Sequence, residues 1–79
     1  MEIKVLGAGC KTCKKLHQAT LDAVAETGAD ATVEYVTDMG EIAAMGIMST
    51  PALMIDGSVK ATGRAPKKKE IAQMVEDAR

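Results

Sequence analysis

VLGAGCKTCKKL, Val5 to Leu16, is the stretch whose reading decides the fold. It sets two glycines after a short apolar run, then two cysteines two residues apart, then lysines. Such a loop can hold a phosphate, grip a metal ion or pass electrons. Phosphate is the weakest reading. A dinucleotide fingerprint needs a third glycine where Thr12 stands, and a Walker loop needs a glycine directly before Lys11-Thr12, where this chain has Cys10.

Upstream, EIKVL (Glu2 to Leu6) is rich in strand formers and closes at Gly7 and Gly9, which predicts a strand and a turn. Downstream, the chain from Lys11 to about Thr27 carries good helix formers without Pro or Gly. Leu16, Ala19, Ala23 and Val24 share one side of that helix, Leu21 widens the stripe, and Gly28 ends it. Ala31 to Val36 alternates Val33 and Tyr35 against Glu34 and Val36, giving a second strand, and strand-helix-strand implies parallel pairing through a right-handed crossover. Asp38 with Glu41 three residues later reads as a capping box opening a short helix that Gly46 stops. In PALMIDGSVKATG, Asp56-Gly57 joins two short runs as an antiparallel hairpin. Pro66 is expected at the first position of a last helix, whose Ile71, Met74, Val75 and Ala78 recur on one face. Lys67, Lys68 and Lys69 read as a solvated face of its first turn. The order is βαβαββα, an α/β chain.

Seventy-nine residues make one small domain, residues 1–79. With no Trp, no Phe and one Tyr, the core must come from aliphatic side chains, Ala and Met, which suits closely packed helix and sheet layers. Ten basic against eleven acidic residues leave a net charge of -1, so the overall field argues for no nucleic-acid and no membrane partner. No segment reads as a signal peptide or approaches the roughly 18 apolar residues of a bilayer span, so the chain reads as cytoplasmic. In a reducing compartment two cysteines serve chemistry or metal binding rather than permanent cross-linking.

The metal alternative is a small heavy-metal carrier or sensor that holds copper or zinc by the two thiolates. Heavy-metal-associated carriers place C-x-x-C similarly, but they carry Met where this chain has Ala8, and they end on a strand. Cys10, Cys13 and His17 form a C-x2-C-x3-H set, which is one ligand short of a structural zinc site, and His17 is expected to face solvent. No metal site is therefore assigned. The redox reading needs the pair at a helix N-terminus, whose free N–H groups and dipole stabilise a thiolate. Cys10 sits there with Cys13 one turn in, and Lys11, Lys14 and Lys15 add positive charge.

With C-x-x-C after the first strand and STP (Ser49, Thr50, Pro51) directly before the hairpin, the chain resembles the thioredoxin superfamily, and within it the small glutaredoxin-sized redox-active disulfide proteins. The resemblance runs through GAGCKTCKKL, STPALMIDG and GRAPKKKEI, which together span nearly the whole chain. It implies a minimal thioredoxin fold, with a four-stranded mixed sheet in the order 2-1-3-4, first and last helices on one face and the middle helix on the other. Cys10 would be the nucleophile and Cys13 the resolving thiol of a reversible disulfide, with no further cofactor. Pro51 would be cis beside the sulfurs. The backbone of Thr50 would pair with substrate, and Lys11 and Thr12 would border it. The implied activity is thiol–disulfide oxidoreduction, reducing disulfide-containing protein substrates, recharged by a thioredoxin-reductase-type electron donor and carried out by a monomer. The chain departs from the pattern of thioredoxins in Lys11-Thr12 between the cysteines, and in Lys4 where thioredoxins bury an acidic proton acceptor.

Overall fold

The computed structural model describes residues 1–79. Its elements are β1 (Glu2–Leu6), α1 (Lys11–Thr27), β2 (Thr32–Val36), α2 (Met39–Ala44), β3 (Ala52–Ile55), β4 (Ser58–Thr62) and α3 (Lys68–Ala78). The strands form one mixed sheet ordered β2-β1-β3-β4, with β1 and β2 parallel and the other two pairings antiparallel. This is a minimal thioredoxin fold.

Strand alternation divides the core in two. Ile3 and Val5 of β1 and Leu53 and Ile55 of β3 point to one face, where Leu16 and Ala23 of α1 and Ile71 and Val75 of α3 complete a buried cluster. Leu6, Val36 and Ala52 point to the other face and are covered by Ile42 of α2 and by Ile47. Val36, on the polar side of β2 in the sequence pattern, is therefore core to this smaller cluster. Each fully buried Leu, Ile or Val contributes about 1.5–3 kcal/mol, so the apolar alternation of β1 and β3 fixes which helix lies on which face.

Local signals set the ends of elements. Gly28 caps α1 with φ of 69° and donates its N–H to the Val24 carbonyl at 3.1 Å, a conformation a Cβ disfavours. Asp56 and Gly57 both have positive φ, which is the turn whose twist suits a two-residue hairpin. The Asp56 carboxylate also accepts the Glu2 N–H at 2.8 Å, stitching the hairpin tip to the start of β1.

Four local expectations need correction. Pro66 is buried and lies ahead of α3, whose N-cap is Lys67, so the proline packs the loop rather than opening the helix. Asp38 caps α2 by accepting from the N–H groups of Gly40 and Glu41, but Glu41 returns no side-chain bond, leaving half a capping box. Leu21 is exposed, and the inward position beside it is taken by Thr20, whose hydroxyl donates to the Leu16 carbonyl at 2.7 Å. That bond removes the cost of burying a hydroxyl, which is why a polar residue can sit in the stripe. His17 does not face open solvent: it is half-buried and stacked on Tyr35 of β2, with ring centroids 4.6 Å apart.

Candidate active site

β1, paired on both sides, ends at Leu6, and Gly7 to Gly9 turn the chain into α1. Gly9 has φ of 85°, a left-handed conformation that glycine adopts without penalty. Cys10 is the N-cap of α1, with extended backbone, and its sulfur accepts the Cys13 N–H at 3.2 Å. A sulfur thus occupies the place usually taken by a Ser or Asp oxygen. Cys10 is exposed, whereas Cys13 is fully buried, and the two are joined in a disulfide with Cα atoms 5.1 Å apart. That separation is usual for a disulfide, so the first turn of α1 accommodates the bond as built.

Gly7 decides how Cys13 packs. Its backbone φ is not in the left-handed region, and its N–H donates to the Val36 carbonyl at 3.0 Å. Space is what it supplies: a Cβ built on Gly7 would overlap the Cys13 sulfur, would lie 2.9 Å from the Cys13 Cβ, and would meet the Pro51 Cα at 3.9 Å. Cys13, Gly7 and Pro51 therefore converge, although Pro51 is thirty-eight residues beyond Cys13 in the chain. Pro51 is buried, the Thr50–Pro51 peptide bond is cis, and the Pro51 carbonyl accepts the Gly63 N–H at 2.9 Å. Thr50 is half-buried and Ser49 and Met48 are exposed, Met48 almost completely at 98%.

Of the residues singled out from the sequence, Cys10, Cys13 and Pro51 come together, with Thr50 alongside by chain connection. Lys11 and Thr12 are exposed in the first turn of α1, between the cysteines. His17 is drawn off to Tyr35, and no group of three or more His, Cys, Asp or Glu side chains is arranged to hold a metal ion. Lys4 is half-buried on the α2 side of β1, opposite Glu34 and Met54 in register, and enters no ion pair. Two contributors escaped the sequence reading. Gly7 looked like turn punctuation, and only its distance to Cys13 shows its packing role. Gly63, with φ of 72°, brings the β4–α3 loop against Pro51 and Ser49, a contact no local signal marks.

Comparison with known proteins agrees with this geometry. The family model described as "Thioredoxin domain" matches residues 1–76. A thioredoxin of Methanothermobacter thermautotrophicus is 36% identical over 75 residues, covering 95% of this chain and 97% of that protein. A thioredoxin of Methanocaldococcus jannaschii is 34% identical over 71 residues, covering 90% of this chain and 81% of the relative. The chain belongs to the thioredoxin family. No helix in it is long and apolar enough to cross a membrane.

Proposed function

We propose that this protein is a thiol–disulfide oxidoreductase that reduces protein disulfides. The observation that carries the reading is the asymmetry of the sulfur pair: an exposed Cys10 capping a helix, bonded to a buried Cys13 one turn in. In the reduced chain, the Cys13 N–H that reaches the Cys10 sulfur, together with the start of α1, favours a thiolate on Cys10.

The Cys10 thiolate attacks one sulfur of a substrate disulfide. The substrate S–S bond breaks, a Cys10–substrate bond forms, and the other substrate sulfur leaves as a thiolate that takes a proton from water. Cys13 then loses its proton and attacks the Cys10 sulfur, so the Cys10–Cys13 bond forms while the second substrate sulfur leaves. Two electrons pass from the dithiol to the substrate. Burial of Cys13 keeps it from competing for substrate but within reach of Cys10. Thr50, Pro51, Lys11 and Thr12 border the approach, with Thr50 offering its backbone to an extended substrate segment.

The disulfide is the only redox group required. Recharging calls for a separate donor, of the thioredoxin-reductase type in this reading. The test is turnover of a disulfide-bonded protein with NADPH and thioredoxin reductase in one arm and glutathione in the other. Turnover in the first arm that vanishes in Cys10→Ser is expected. If neither donor raises the rate above the uncatalysed one, the assignment is overturned.

A further inference from the structure

We propose that the site prefers substrates whose cystine is flanked by acidic residues, because three unpaired lysines lie beside Cys10 on the first turns of α1. The inference rests on the oxidoreductase reading and specifies the substrate class of that same site. Lys11, Lys14 and Lys15 are all exposed in the first turns of α1, next to Cys10. Of the ten cationic residues, Arg64, Lys68 and Arg79 are held in ion pairs with Glu70, Glu26 and Glu76, whereas these three lysines have no acidic partner.

Folding does not account for them. The first turn of a helix favours acidic side chains, and α1 has none there; lysines at that end oppose the macrodipole. They cover no core either, since they are exposed and the buried side of α1 is formed by Cys13, Leu16, Thr20 and Ala23. In a protein of net charge -1, three lysines gathered beside the reactive sulfur are complementary to an acidic segment.

The test uses the full chain, reduced beforehand with dithiothreitol and freed of it. Two synthetic peptides each carry one internal disulfide and differ only in having Asp or Lys at the positions flanking the cysteines. Single-turnover reduction is followed at low and high salt, where the Debye length is about 30 Å and about 3 Å. At low salt the acidic peptide should react about tenfold faster or more, and high salt should erase most of that advantage. In a Lys14→Glu/Lys15→Glu double variant the order should invert, and in Lys14→Gln/Lys15→Gln, which adds no new charge, the ratio should fall toward one. Comparing the two peptides within each variant cancels any change in the intrinsic reactivity of Cys10. Equal rates for both peptides in the native chain overturn this preference and leave the oxidoreductase reading standing. An acidic preference that survives both double variants overturns the assignment to these lysines. Reduction of neither peptide sinks the oxidoreductase reading and this one with it.

Discussion

Gly7 lies so close to Cys13 that a single added Cβ would overlap the Cys13 sulfur. The clash cannot be relieved by a flexible chain end, because Cys13 is fully buried, its Cβ is 2.9 Å from the same point, and its backbone belongs to the first turn of α1. Gly7→Ala should therefore displace the start of α1 or strain β1, at a cost of about 1–3 kcal/mol. Denaturant unfolding with an unchanged m-value measures that cost, and disulfide turnover should fall alongside it. A variant as stable and as active as the native chain would show that the close approach is dispensable.

Much of the architecture is legible because the hydrophobic pattern and the turn chemistry agree. EIKVL becomes β1 with the bounds its composition indicates, Gly28 ends α1, and Asp56-Gly57 makes the hairpin. The two cysteines are legible from spacing and from their place after a strand. What could not be read is contact between residues distant in the chain. Nothing local marks the meeting of Gly7, Cys13 and Pro51, the stacking of His17 on Tyr35, or the Gly63 bond to Pro51. Pro66 misleads for a related reason: a proline before a helix suits its first position, but tertiary burial took it into the loop instead.

Asp38 tests how far α2 depends on its cap. α2 has only six residues, too few to persist without tertiary support, and Asp38 satisfies two of its free N–H groups at 2.8 and 3.2 Å. Asp38→Ala should cost about 0.5–2 kcal/mol. Asp38→Asn should recover most of it, since the amide oxygen can accept the same bonds. Amide hydrogen exchange should quicken around Ile42, which α2 buries over the smaller core, while α1 remains protected. Uniform loss of protection throughout the chain would instead mean that α2 does not open as a local unit.

The Arg64–Glu70 pair gives the stability a defined pH dependence. Both side chains are exposed, and two bonds at 3.2 and 2.6 Å join them. The hydrogen bond from Arg64 holds the Glu70 carboxyl below its ordinary value of 4.5, partial desolvation opposes this, and the Arg64 charge adds to the lowering. A carboxyl depressed in the folded state stabilises above its unfolded value and loses that contribution as pH falls through the folded one. Glu70→Gln should therefore be slightly less stable than the native chain at pH 7, and the gap in Tm should narrow as pH drops below about 4.5. Because the pair is exposed, added salt should shrink the gap as well. A gap that widens on acidification would reverse the sign and refute the pairing.

The roles of the two cysteines can be separated by exposure and by position on α1. Cys10 is exposed at the helix cap and Cys13 is fully buried, so in the reduced protein a neutral alkylating reagent near pH 7 should modify Cys10 faster by about tenfold or more. Mass mapping of the partly labelled chain checks this. The same asymmetry fixes what each single variant can do with substrate. Cys13→Ser keeps the attacking sulfur but removes the one that releases substrate, so a Cys10–substrate disulfide should accumulate and be visible as a reducible adduct. Cys10→Ser leaves only a sulfur with no accessible surface, and no adduct should form. Isosteric serines disturb packing little at the exposed cap, and the unfolding midpoint of each variant shows whether a negative result reflects chemistry or loss of fold. If the reduced chain were alkylated equally at both positions, or if the adduct formed through Cys13, the order of attack along α1 would be the reverse of the one proposed.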